Sequence, residues 1–374
     1  MTPPRGAYLH VPFCTHRCGY CNFTLVAGRG DLVPAYLEAL ELELSRLDGP
    51  CEVDTLFIGG GTPTFLDATQ LAQLLKLATD QFPLAAGHEF SVEANPADIT
   101  AEKVAVLADH GVNRVSLGVQ SFRAEKLKIL ERDHRREEVQ QAIEQVVRRI
   151  DNLSLDLIFA TPGETLDQWQ ADLDEALKAP IRHLSTYGLT YEQGTAFWSR
   201  LRRAELSEAD EELQRAMYLT AIDTITAAGH RQYEISNFAQ PGYACRHNER
   251  YWLGESFHAA GPGAARFLEG VRETNHRSTT TYIKKVLAGE SPIAERDALT
   301  PEQRARERLV FGLRRVEGID IERFAAEVGF SVENLAAKEI ENFVTWGLIE
   351  REGNQLRLTR EGLLLSDSVA VALL

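Results

Sequence analysis

Three cysteines fall within eight residues, in the run Cys14-Thr-His-Arg-Cys18-Gly-Tyr-Cys21. Thiolates are soft ligands that suit zinc and iron–sulfur clusters. Zinc asks for four ligands, and His10 or His16 could complete a Cys3His set here. Zinc ligands, however, usually come as two separated pairs. Three thiolates on one short loop, with Cys51 and Cys245 distant, favour a [4Fe–4S] cube gripped at three corners. Its fourth iron is then open to a further ligand, which makes the cluster a chemical site.

The elements that must position this loop alternate along the first ~240 residues. Strand patterns occur at Ala7–Pro12, Thr55–Ile58, Glu89–Glu93, Arg114–Val119, Leu153–Ile158 and His183–Leu189. Amphipathic stretches lie between them at Val33–Leu47, Thr69–Gln81, Glu102–Asp109, Arg136–Arg149 and Leu166–Leu177. Strands separated by helical crossovers read as a parallel sheet. Periodicity alone fits a flat doubly wound sheet or a partial barrel equally. A helix over Glu208–Ala228 and a strand at Gln232–Ile235 follow, then an irregular, loop-rich span over Asn237–Gly270.

From about Thr300 the pattern changes to helices at Pro301–Arg314, Ile321–Val328 and Val332–Trp346, then a hairpin around Glu-Gly-Asn. Three helices and a hairpin suggest a winged-helix-like module, either a DNA reader or a structural cap. The third helix carries Glu333, Glu339 and Glu341 against Lys338, which favours the cap. The expected division is a core at residues 1–240, a connecting region at 241–299 and a C-terminal module at 300–374.

Sites in parallel α/β sheets gather at the carboxyl ends of the strands. Cys14 follows the first strand and Gly59-Gly60-Gly61-Thr62 the second. Glu93 ends the third, Gln120 follows the fourth, and Asp156 and Gly188 lie near the ends of the fifth and sixth. All fall on one rim.

Tyr-Leu-His-Val-Pro-Phe-Cys14-x3-Cys18-x2-Cys21-Asn-Phe23 resembles the opening of radical S-adenosylmethionine (SAM) proteins. It looks most like the branch holding oxygen-independent coproporphyrinogen III oxidase (a dehydrogenase) and the HemW-type heme chaperones. The resemblance covers roughly residues 5–275 and is vaguer in the tail. It implies a partial (β/α)6 TIM-like barrel with a small C-terminal helical, winged-helix-like domain. It also implies a [4Fe–4S] cluster on Cys14, Cys18 and Cys21, whose open iron chelates SAM; reduction can then release a 5′-deoxyadenosyl radical. Gly60, Gly61 and Thr62 would hold the methionine amino group, and Glu93 would face cationic parts of the cofactor. Gln120, Arg132, Asp156 and Gly188 match the remaining contacts, with Tyr8 and Tyr20 flanking the cluster. Arg132 sits in the charged run Glu-Arg-Asp-His-Arg-Arg, which by itself reads as a surface face.

Within that branch, the dehydrogenase carries a fourth cysteine where this chain has Phe23, and a segment ahead of its first strand; here the strand begins within about seven residues of Met1. His247-Asn-Glu-Arg-Tyr251-Trp252 fits the H-N-x-x-Y-W motif associated with HemW-type proteins. The resemblance therefore implies a heme chaperone passing heme to an acceptor protein, with oxidative decarboxylation of coproporphyrinogen as the alternative. A neutral imidazole can ligate heme iron. His247 is thus one candidate axial ligand and Cys245 another. Tyr251 and Trp252 offer flat apolar faces, and Arg246 and Arg250 could meet propionates.

A net charge of −15 over 374 residues makes general nucleic-acid binding unfavourable. The apolar fraction of 44% supports a large core, yet no run reaches the ~20 apolar residues of a membrane span. With no secretory signal before Cys14, the expectation is a cytoplasmic protein. Its expected partners are heme and a heme-acceptor protein of unknown identity, with transient contact to a membrane-bound acceptor and homodimer formation both left open.

Overall fold

The computed structural model describes residues 3–374. Six strands alternating with five helices open the chain: β1 (Gly6–Val11), α1 (Val33–Leu44), β2 (Val53–Gly60), α2 (Ala68–Gln81), β3 (Leu84–Ala94), α3 (Ala101–Asp109), β4 (Arg114–Gln120), α4 (Arg136–Val147), β5 (Asn152–Phe159), α5 (Leu166–Lys178) and β6 (His183–Gly188). The strands pair in chain order, all parallel. Both faces are buried but differ in character: Leu56 and Ile58, Phe90 and Val92, and Leu155 and Leu157 are solvent-free on one face, while the intervening Ser91, Ser116 and Ser154 are buried on the other. Local caps start the helices that cover them. Asp67 with Gln70 and Thr165 with Gln168 form reciprocal capping boxes.

The sheet is wider than six strands. His258–Ala260 adds a parallel seventh strand beside β1. Beyond β6, Asn237–Ala239 and then Arg231–Gln232 add two antiparallel ones. Only a two-residue strand, Arg231–Gln232, meets the strand expected at Gln232–Ile235, and the span expected to be loop-rich supplies two strands, Asn237–Ala239 and His258–Ala260, to the core sheet. Two- and three-residue strands carry no readable alternation; their pairing is dictated by the edge they meet. The result is a curved, open sheet, a partial barrel, with the site rim at the carboxyl ends of β1–β6.

The tail forms helices Pro301–Arg314, Ile321–Val328 and Val332–Thr345. A three-stranded sheet accompanies them, Ile319–Asp320, Gln355–Leu358 and Ile349–Glu352, in that order across the sheet. Two further helices, Arg360–Leu364 and Ser366–Leu373, close the chain. Ion pairs Arg215–Glu361 (2.5 Å) and Arg360–Asp223 (2.7 Å) dock this module on helix Glu211–Ala227. Among the described residues, no helix is long and apolar enough to cross a membrane.

Candidate cofactor site

The cysteine loop is tied down at both ends. Val26 N–H donates to Pro12 O (2.8 Å) and Gly28 N–H to Cys14 O (2.9 Å). Arg17 staples its middle, donating to Leu25 O at 2.7 Å and Cys21 O at 3.2 Å. Opposite lies the glycine turn after β2. Gly61 N–H donates to Val11 O and Thr62 N–H to Phe13 O, both at 2.7 Å. A Cβ on Gly61 would stand 2.6 Å from Phe13 O and 2.9 Å from both Phe13 N and Val11 O; one on Gly60, where φ is +109°, would enter the His10 ring. These glycines let the turn press directly on the strand leading to Cys14, a demand that exists before any ligand binds.

Cys14, Cys18 and Cys21 line one cavity of about 1010 Å3, together with Tyr20, Gly60, Gly61, Thr62, Glu93, Gln120, Arg132, Asp156 and Gly188. Every rim residue expected from the sequence thus borders the same space. Tyr8 does not. It lies one layer deeper, its hydroxyl 3.0 Å from His10 Nδ1, in a side cavity that also touches Gly60 and Glu93.

Polar contacts across the rim are specific. Gly60 N–H donates to Glu93 Oε2 at 2.9 Å. Ser116 Oγ donates to Asp156 at 3.0 Å. Arg132 is not on a charged surface. Its Nη2 donates to Gly118 O (2.7 Å) and Asn95 Oδ1 (3.0 Å), and its Nη1 lies 3.7 Å from Cys18 Sγ. It bridges the ends of β3 and β4, and its buried Nε has no partner. Burial raises the carboxyl of Glu93 to about 7, against the Gly60 N–H, and raises that of Asp156 despite its serine partner. Burial likewise pushes the Cys14 thiol up to about 11, opposed by the Thr62 hydroxyl 3.2 Å away.

The residues fit a cube better than a single ion. Among the described residues, no three His, Cys, Asp or Glu side chains converge as a metal-ion site. A cubane offers separate irons to separate thiolates, so the donors need only face a shared space. His10 cannot serve as a fourth donor where it stands: its Nε2 is 2.6 Å from Thr24 O and its Nδ1 is taken by Tyr8.

The His247 motif behaves otherwise than its sequence setting suggested. It forms a helix, Arg246–Trp252, in the stretch expected to be loop-rich. The physical reason is Glu89, whose carboxylate accepts from the N–H groups of Arg246 (2.9 Å) and His247 (3.1 Å) and so caps the first turn from inside the barrel. His247 is 1% exposed. Its Nδ1 lies 3.1 Å from Thr55 Oγ1 and its Nε2 2.8 Å from Tyr251 Oη, so neither nitrogen is free for iron. Burial keeps the ring neutral, its pKa lowered to about 3. Tyr251 borders the side cavity. Trp252 turns the other way, under the Arg314 guanidinium (5.0 Å) and edge-on to Phe311. The three residues do not share one face. Cys245 is solvent-free, its thiol 3.5 Å from Glu89. Arg250 is committed to Asp54 (2.9 Å) and Glu255 (2.6 Å), and Arg246 donates to Gly87 O.

Sequence reasoning passed over several participants. Arg114, 2% exposed, lies within the barrel. Asn95 orients Arg132. Leu363, Leu364 and Leu365 bring the C-terminal module to the wall of the large cavity. Only Asn95, inside Ser-Val-Glu-Ala-Asn-Pro, carried a local signal.

A parallel partial barrel with a three-cysteine loop after its first strand, facing a glycine turn after its second, is the arrangement of the radical SAM class. The Radical SAM superfamily profile matches residues 8–176, and the HemN C-terminal domain profile matches residues 299–365. The chain is 35% identical over 370 residues to heme chaperone HemW of Lactococcus lactis subsp. lactis, covering 99% of this chain and 97% of that one. It is 35% identical to heme chaperone HemW of Bacillus subtilis (99% of each) and 32% identical to that of Escherichia coli (98% and 97%). The chain belongs to the HemW family of radical SAM proteins. Among solved structures, coproporphyrinogen III oxidase (HemN) from Escherichia coli superposes with a TM-score of 0.87 at 21% identity, covering 99% of this chain and 90% of that one, which establishes a shared fold. Membership of the radical SAM superfamily implies a [4Fe–4S] cluster and SAM.

Proposed function

We propose that this chain is a heme chaperone that binds heme and passes it to an acceptor protein, carrying a [4Fe–4S] cluster on Cys14, Cys18 and Cys21 and an exchangeable SAM. The observation that carries this reading is full-length similarity to heme chaperones, at 35% identity over 99% of the chain. When bound, the cluster supplies an iron for SAM and the electron that could cleave its sulfonium.

The chain's own residues then have these roles. Thr62 and Arg132 hold two of the three thiols, Cys14 and Cys18, in place. Gly60, Gly61 and Glu93 form a wall with a buried carboxyl to face a cationic group. Gln120, Asp156 and Gly188 receive the nucleoside part, and Tyr20 shields the cluster. Tyr8 supports the wall from below through His10. In the His247 motif, Tyr251 is the residue that meets heme; His247 and Trp252 fix its helix to the barrel and to the C-terminal module. The division into a core at 1–240, a connecting region at 241–299 and a module at 300–374 belongs to the same reading, as does action in the cytoplasm.

The test uses anaerobically reconstituted full-length protein. Hemin should give a shifted Soret band, and bound heme should leave on addition of an apo-hemoprotein acceptor. Formation of protoporphyrinogen from coproporphyrinogen and SAM in the reduced protein would overturn the chaperone reading, as would the absence of any Soret shift.

A further inference from the structure

Beside the cofactor cavity lies a second one, of about 340 Å3, at the edge of the barrel where β1 meets His258–Ala260. Pockets for small ligands start at about this size. Tyr8, Phe23, Tyr251 and Phe257 supply the aromatic part of its wall. Tyr251 and Phe257 meet edge to face, centroids 4.7 Å apart. Tyr8 lies behind them, and Phe23, 57% exposed, stands at the mouth and also borders the large cavity.

One cation faces this aromatic space. Arg277 lines it, is exposed, and makes a single long contact, Nε to Thr24 Oγ1 at 3.5 Å. Among the described residues no carboxylate lies within ion-pair distance of it, whereas Arg250, Arg266 and Arg272 nearby in sequence are each paired. His10 adds no second charge: burial lowers its pKa to about 4. The one acidic group on the wall, Glu93, lies at the end shared with the cofactor cavity. The cavity is thus polarised, with a free guanidinium at one place and apolar rings around it.

Such a site takes a flat, apolar molecule bearing a carboxylate. Resting on the reading proposed above, we infer that this side cavity grips one edge of heme, with a propionate on Arg277 and the ring edge between Phe23 and the Tyr251–Phe257 pair. At about 340 Å3 the cavity is too small to enclose the macrocycle, among the described residues no free ligating nitrogen or thiol lines it, and the Tyr8 and Tyr251 hydroxyls are held by His10 and His247. The iron is left outside, available to the acceptor's own ligands. A grip on the periphery, without a bond to the metal, suits a carrier that must release its cargo.

The experiment compares hemin with hemin dimethyl ester, which lacks the carboxylates, by Soret titration of the reconstituted full-length protein and its Arg277→Gln and Arg277→Lys variants. Arg277 packs on little, so melts of all three should coincide. Arg277→Gln should weaken hemin about tenfold or more, the scale of a lost charge-assisted contact. Arg277→Lys should recover most of that loss, and the ester should bind wild type and Arg277→Gln alike. Equal hemin affinity in wild type and Arg277→Gln overturns this site while leaving the chaperone reading standing. No hemin uptake by the wild type overturns both.

Discussion

Gly60 and Glu93, the ends of β2 and β3, are joined by a single hydrogen bond: the glycine N–H donates to Glu93 Oε2 across 2.9 Å. That bond alone does not offset burial, and the Glu93 carboxyl titrates near 7 instead of its ordinary 4.5. In cofactor-free protein Glu93 therefore holds its proton up to about pH 7, whereas the unfolded chain releases it near 4.5. The folded state binds more protons between those values, so this group's contribution to stability is full below 4.5 and is lost as pH rises through 7. The loss is on the order of 3 kcal/mol. Urea denaturation across pH 4.5–8 should show a slope that Glu93→Gln removes; an unchanged difference between the two proteins at every pH refutes the assignment. The same variant should bind SAM more weakly, because the carboxylate facing a cation is gone.

Gly61 faces a harder limit. An added Cβ would meet three backbone atoms of the Cys14 strand at 2.6–2.9 Å, and backbone cannot rotate away as a side chain can. Gly61→Ala should therefore push that strand and the loop after it outward, costing about 1–3 kcal/mol and lowering iron and sulfide per chain after reconstitution. Gly194→Ala is the control. Its added Cβ would meet nothing within 4 Å, and its positive φ of +92° imposes a local strain of its own. Equal iron loading in Gly61→Ala and wild type would show that the close approach does not matter to the loop.

A buried ionic lock holds the segment that leads to Arg132. Lys126 Nζ lies 2.5 Å from Glu164 and 3.1 Å from Asp172, all three nearly solvent-free. Asp172 also accepts from Ser121 Oγ and Phe122 N–H, and Glu164 from Thr161. Lys126→Met leaves two carboxylates buried without their counter-ion, a loss of about 3–5 kcal/mol. The triple variant Lys126→Met, Glu164→Gln, Asp172→Asn removes the charges together and should recover much of it. Chemical denaturation of both proteins decides; a triple variant no more stable than the single one refutes the account.

Much of this was legible in the sequence because its causes are local. β1–β6 carry buried apolar residues alternating with polar ones, and α2 and α5 show as amphipathic stretches whose starts the Asp67–Gln70 and Thr165–Gln168 caps then fix. The cysteine loop and the rim residues follow from spacing plus the rule that sites lie at strand ends. What stayed hidden depends on distant partners. Helix Arg246–Trp252 is capped by Glu89, 157 residues away from Arg246, so its own residues read as loop. Arg132 reads as one more surface arginine until Gly118 and Asn95 are brought to it. The three motif residues look like one heme-facing set in a line of text, but a seven-residue helix points them into the barrel, the side cavity and the C-terminal module.

That divergence makes a last prediction about His247. Its two nitrogens are occupied by Thr55 and Tyr251, and its ring stacks on Phe57 with centroids 5.2 Å apart. Removing it opens a cavity and strands two buried hydroxyls, so His247→Ala should cost about 2–4 kcal/mol. Tyr251 loses its anchor in the same step and hemin should bind several-fold more weakly. The Soret maximum and the low-temperature EPR of the heme that does bind should nevertheless match wild type, because the axial field does not change when a non-ligand is removed. Tyr251→Phe, which breaks the hydrogen bond but keeps the ring, should show a smaller stability loss of about 1 kcal/mol. A changed EPR signature in His247→Ala would instead mean that the helix opens when heme arrives and that the imidazole reaches the iron.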